Sequence, residues 1–436
     1  MFVNRHIHKH CRLCCFFIHF ILTVERNKQH CVLYFRQEGG NKLKNKFFIL
    51  APIVACVAMF IFSLTLFPSV QPAPKNLPIA IVNEDAGVTV PGQGDVNLGN
   101  TVVETVQQAT AAAEGDSAIK WVVVESKEAL DQGLQNKDYY AALYIPADFS
   151  AKQASLRTPT LTNPELEILI NQGMNAAVAN VTTQALNGIV DKMNSMMQTQ
   201  LVEAFKAQNA TLTPEQAVAI VTPITKVVTT VNGASENTGG GNMPVNLFQP
   251  IWIGSIATAV LLFFAVKKSP AATKTGGFMQ RLVQIGIIVI AAFLIGFGLP
   301  FLADKMIGFN IPDYTQTALF LTITAAAFIT MILAVLSIIG LPGIFIFVLL
   351  MFFGAPLLAL APEMMSGFYQ DFVYSWLPMR FMVDGLKDIF FFGTGVTWAN
   401  TQVLVWIMIV SIVVILLSVF IPKRKKAEDP ELVQEQ

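Results

Sequence analysis

"NLPIAIVNEDAGV", Asn76 to Val88, opens as an apolar strand and closes on two adjacent carboxylates, Glu84 and Asp85, followed by Gly87. Its branched centre, Ile79 to Val82, suits a pleated, buried surface. Asn83, Asp85 and Gly87 are residues that take a strand out of a sheet, because Asn and Asp bond the local backbone and Gly accepts positive φ. The stretch reads as the first strand of a folded domain outside the bilayer. The acid pair is expected to shape a turn. A catalytic pair would need partners that the domain lacks. A metal site would draw on Asp95 and Asn97 of the nearby "GQGDVN", and none is expected.

Upstream, Phe47 to Phe67 carries no charge. Twenty-one residues at about 1.5 Å each span roughly the 30 Å of a hydrocarbon core. Five further runs qualify as spans: about Pro250 to Val266, Leu282 to Leu302, Thr317 to Gly340, Gly343 to Ala361 and Gln402 to Ile421. The expected architecture is therefore a six-span helical membrane protein, with an α/β domain and a long helix inserted between spans one and two. Composition agrees: 53% of the 436 residues are hydrophobic and 13% charged, where soluble domains carry about a quarter charged.

Charge orients the chain. Residues 1–46 hold nine Lys/Arg against two acids, whereas residues 71–248 hold nine against seventeen. Lys267, Lys268, Lys274 and Arg281 follow span two without an acid, and "KRKK", Lys423 to Lys426, follows span six. The positive-inside rule puts both termini in the cytoplasm and exports residues 70–248, Asp304 to Asp313 and 362–400. The expected parts are a basic head (1–46), span one (47–67), the exterior domain (70–248), a five-span domain (249–426) and a cytoplasmic tail (427–436). "GLPG", Gly340 to Gly343, reads as a tight turn between antiparallel helices. "RFMVDGLKDIFF" places Arg380, Asp384, Lys387 and Asp388 on one helix face, as expected for an interfacial or re-entrant helix at the outer surface.

In the exported domain, strands at Ile79 to Asn83, "IKWVVVES", "YYAALYIP" and "ELEILINQ" alternate with helical segments. A β-α-β-α-β-α-β order predicts a largely parallel sheet. From Met174 to about Ala210, Val178, Val181, Ala185, Ile189, Met193, Met196, Leu201 and Phe205 recur at helical steps. They predict a helix of roughly 50 Å whose stripe is core or a homodimer seam. Thr213-Pro214-Glu215-Gln216 matches a capping box with Pro at the first helical position, and Ile224 to Val231 fits a strand.

No P-loop, H-E-x-x-H or G-x-S-x-G occurs, and the exported domain has neither His nor Cys, so neither an enzyme nor a cofactor is expected. His6, His8, His10, Cys11, Cys14 and Cys15 crowd the head at spacings irregular for zinc. That head differs in composition from the rest, and translation is expected to start later, near Val32 or Leu33. The spans carry almost no ionisable residue, which disfavours an ion relay and leaves any transport dependent on an outside energy source.

The "IAIVNEDAGV", "LGNTVVETV", "WVVVESKEALDQGLQNKDYYAALYIPADFS" and "WLPMRFMVDGLKDIFFFG" blocks resemble the YhgE/Pip, phage-infection-protein-like family, related to ABC type-2 permeases. The resemblance covers about residues 42–426. It implies the one-plus-five span plan, a cytoplasmic membrane mostly of Gram-positive bacteria, and roles as exporters, phage receptors or relatives of a type VII secretion component. Two functions are weighed. One is the permease subunit of an exporter for an amphipathic or bulky substrate, driven by a separate ABC ATPase docking between Lys267 and Arg281. The other is a non-transporting surface scaffold. Lipid is the surrounding medium in both, and no nucleic acid partner is expected.

Overall fold

The computed structural model describes residues 74–420 apart from 91–93, 112–116, 159, 208, 210 and 235–236, together with Pro52, Cys56 and Met59. The chain divides into two compact units, Met1–Thr65 and Leu66–Gln436. In the first unit the three described residues are helical. The first candidate span and the His/Cys head otherwise lie outside the described residues, as does the "KRKK" tail.

The second unit opens with an α/β domain. A five-stranded sheet runs in the order β4-β1-β5-β6-β7, from β1 (Leu77–Asn83), β4 (Ile119–Val124), β5 (Ala141–Ile145), β6 (Glu165–Asn171) and β7 (Thr225–Val231). A small hairpin, β2 (Val88–Val90) and β3 (Gly94–Val96), interrupts the first connection. Ile79 and Ile81 of β1 pack on one face beneath α1 (Leu98–Ala111) and α4 (Ala176–Ala207). Ala80 and Val82 pack on the other beneath α2 (Lys127–Gln135), as the two-residue strand period requires.

Strands β4, β1 and β5 are parallel, as expected, but β6 runs antiparallel to β5, and β7 is parallel to β6. The sheet is thus largely parallel, as expected, with one antiparallel pair after β5. The β5–β6 connection holds one seven-residue helix, α3 (Phe149–Ser155), rising only about 10 Å, and the chain re-enters the sheet at the end where it left. The capping box is present: Thr213 and Gln216 bond each other's backbone at the start of α5 (Pro214–Val221).

Helix α4 is 32 residues long, about 48 Å, and its buried stripe overlaps the expected one, with Ile189 and Met193 packed against the core. Val178, Leu201 and Phe205 are buried as read, Met196 is exposed, and Thr182, Leu186, Val190 and Asn194 complete the buried face. Asn194 is buried because its side chain holds both the N–H (2.7 Å) and the carbonyl (3.1 Å) of Ile224, where β7 begins. The stripe is thus used on the domain's own sheet and on α5.

Past a short helical turn, Met243–Asn246, the chain enters a bundle of α6 (Phe248–Lys268), α7 (Lys274–Leu302), α8 (Tyr314–Ile339), α9 (Ile344–Leu358), α10 (Pro378–Phe391) and α11 (Trp398–Leu417). Among the described residues five segments are long and apolar enough to cross a membrane: Met243–Lys268, Lys274–Ile307, Tyr314–Ile339, Leu341–Leu358 and Trp398–Phe420. This is a membrane-embedded protein carrying an α/β domain. Helix α8 is apolar all round because it is the centre of the bundle: Phe320, Leu321, Phe328, Ile332 and Leu333 are fully buried. Trp252 of α6 packs edge-on to Phe328 at 4.8 Å and donates its indole N–H to the Phe347 carbonyl at 3.2 Å. "GLPG" is the tight α8–α9 turn, with Gly340 at φ 83°.

Candidate functional site at the junction of domain and bundle

The acid pair at the end of β1 faces the amino ends of three helices. Asp85, 7% exposed, accepts from the backbone N–H of Gly99 at 3.0 Å in α1 and of Ser150 at 2.9 Å in α3. It also accepts from the Ser150 hydroxyl. Glu84 accepts from the Lys127 N–H at 2.9 Å, the first residue of α2, and from the Tyr144 hydroxyl at 2.7 Å. The Tyr144 bond, then the Lys127 N–H, hold the Glu84 carboxyl below its ordinary value, while burial and that bond push the Tyr144 phenol up to about 12. Helix amino ends at the carboxyl end of a parallel sheet are where such folds bind anions; here the protein's own carboxylates occupy them.

The remaining motif residues complete a turn. Asn83 accepts from the Asp85 N–H at 3.1 Å, Asn97 donates to the Asp85 carbonyl at 2.7 Å, and Gly87 has φ 75°. Asp95 points elsewhere, taking the Thr89 hydroxyl across the hairpin. Among the described residues no three His, Cys, Asp or Glu side chains converge as metal ligands would.

Lys267 and Lys268 end α6 and Lys274 starts α7. The α6–α7 connection and the end of α11 enclose a cavity of about 320 Å³ lined by Lys274, Gln280, Arg281 and Ser418 among others. Arg281 donates to the Gln284 side chain at 2.7 Å, and Gln284, buried, donates to the Leu262 carbonyl at 2.8 Å, tying α7 to α6. Of the four cations read from the sequence, this cavity gathers two, Lys274 and Arg281.

At the opposite end, α10 is the expected helix with its charges gathered on one face. Met379, Met382, Val383, Leu386 and Ile389 are buried in the bundle core, and the charged face is turned toward the α/β domain. Asp388 pairs with Lys137, which follows α2. Gln135 donates to the Phe392 carbonyl at 3.1 Å, Asn175 to the Ala359 carbonyl at 3.2 Å, and the Tyr140 hydroxyl to Glu363 at 2.7 Å. Burial and the Glu363 carboxylate raise the Tyr140 phenol, keeping it a donor.

Between these contacts lies a second cavity of about 320 Å³. Lys137, Arg380, Asp384 and Lys387 line it with Tyr140, Tyr374 and the loop before α4. Arg380 stacks between the Tyr374 and Phe381 rings, 5.0 Å from each, and lies 3.8 Å from Asp384. Burial lowers the Lys387 amine, and Asp384 opposes that shift. Lys137, Tyr140, Asn175 and Glu363 carry no local mark of this role, because their partners lie 184 to 251 residues away in the chain.

Residues 46–415 match the family described as "Protein of unknown function (DUF3533)", and the chain belongs to that family. No curated protein and no solved structure matches it.

Proposed function

We propose that this DUF3533 member is the permease-type subunit of an exporter for an amphipathic or bulky substrate, in which the α/β domain and the helix bundle work as one body. The observation that carries this reading is the row of polar contacts joining them, Lys137–Asp388, Tyr140–Glu363 and Asn175–Ala359. A domain merely displayed on a tether needs none of these. By the positive-inside rule the α/β domain lies outside the cell and the Lys267–Arg281 end in the cytoplasm, where a separate ATPase would dock. The YhgE/Pip resemblance includes this role through its kinship with ABC type-2 permeases.

A non-transporting scaffold is the second reading, favoured by a bundle interior filled by Trp252, Phe248, Phe328 and Phe347. A chimera carrying the α/β domain on one unrelated span separates the two. Under the transport reading it fails to restore efflux to a deletion strain, and the intact chain copurifies with an ATP-hydrolysing subunit. Full activity of the chimera, or no copurifying ATPase together with unchanged efflux on deletion, overturns it.

A further inference from the structure

We infer that the junction cavity binds a phosphate-type oxyanion, held by Arg380 and Lys387. Three cationic side chains line it against one carboxylate, Asp384. Lys137 is already committed to Asp388, which leaves Arg380 and Lys387 against the single Asp384; Arg380 also donates to the Tyr374 carbonyl at 3.5 Å. Arg380 keeps its Nε–H buried without a hydrogen-bond partner. At 3.8 Å its contact with Asp384 is an ion pair and not a hydrogen bond. Lys387 makes no ion pair of 4 Å or less among the described residues. A planar guanidinium held between two rings, 5.0 Å from each, beside a flexible ammonium is an arrangement suited to phosphate oxygens.

The surrounding wall agrees. Gly173, Met174 and Asn175 line the cavity just before α4. Asn175 caps that helix by accepting from the N–H groups of Ala177 at 2.9 Å and Val178 at 3.1 Å, so the positive end of a 32-residue dipole adds to the two cations. The volume suits a small headgroup. Apolar Met174, Leu360, Ala361, Pro362 and Phe392 complete the lining, and α10 and the end of α9 connect it to the bundle. The oxyanion could arrive as free phosphate or as the headgroup of an anionic lipid, and the site does not require that the chain transport anything.

The test uses the full chain in an uncharged mild detergent and follows thermal unfolding. Titrants are inorganic phosphate, a short-chain phosphatidylglycerol, and phosphatidylcholine of the same chain length. Saturable stabilisation by phosphate or by phosphatidylglycerol, exceeding that by phosphatidylcholine, is the expected result. Response to phosphate identifies a free oxyanion, and response to phosphatidylglycerol alone a lipid headgroup. Lys387→Met and Arg380→Gln should each weaken the half-saturating concentration by about tenfold, while Lys226→Met, in a remote pair with Asp191, should not. Should Arg380→Gln fail to fold, Lys387→Met decides alone, since it removes a charge that burial already disfavours. Absence of stabilisation by either anion, or unchanged binding by folded Lys387→Met, overturns the inference.

Discussion

Asp85→Ala is expected to destabilise the α/β domain by about 3–5 kcal/mol, the cost of stranding buried charge-assisted hydrogen bonds. The carboxylate holds the amino ends of α1 and α3 through Gly99 and Ser150, and Gly87 donates to it at 3.3 Å. Its removal leaves these donors facing one another. Against a typical total of about 5–15 kcal/mol, such a loss should appear as a lower unfolding temperature and as faster proteolysis within residues 74–171. Asp85→Asn, which keeps one acceptor oxygen, should lose less, about 1–2 kcal/mol. Equal stability of Asp85→Ala and the parent would mean that the acid pair is not a structural cap.

The second large effect is expected in the bundle. A Cβ added at Gly296 of α7 would sit 2.1 Å from the Thr322 hydroxyl and 2.5 Å from the Thr322 backbone nitrogen in α8. Backbone cannot give way as a side chain can, so the two helices must separate. Gly296→Val should cost about 1–3 kcal/mol or more through overpacking at a small-residue crossing. Two residues on, a Cβ at Gly298 meets nothing within 4 Å, and Gly298→Ala should be neutral or stabilising by up to about 1 kcal/mol from helix propensity. Thermal unfolding in detergent separates the pair; equal effects would contradict the close α7–α8 approach.

Local order in this protein is legible where the signal is itself local. The long apolar runs, the capping box at Thr213 and the turn at Gly340 each depend on residues within a few positions. The turn reading of "NEDAG" was legible for the same reason, since Asn83 bonds Asp85 and Asp85 bonds Gly87. That the two carboxylates reach helices 14 to 65 residues away has no local mark.

Hydrophobic spacing found part of the buried stripe of α4 and missed Thr182 and Asn194, because they are polar. Each is satisfied inside the protein, Thr182 by the Val178 carbonyl and Asn194 by Ile224. The one antiparallel pair in the largely parallel sheet, β5 with β6, was not legible because a strand's residues look the same in either direction; only the shortness of α3 marks it. The charged face of α10 was read correctly as a face, but a face turned to water and one turned to another domain share a sequence pattern. The difference lies in partners such as Lys137 and Glu363, set by the tertiary fold.

All of these readings converge on the docking of the α/β domain against α10, and a zero-length carbodiimide cross-link in native membranes tests it most directly. The reagent joins only amines and carboxylates already in contact, such as Lys137 and Asp388. Mass spectrometry should recover a peptide joining those two residues, alongside the exposed Lys226–Asp191 pair as a positive control. Recovery of the control without any Lys137–Asp388 product would contradict the docking, and with it the account of the domain and bundle as one body.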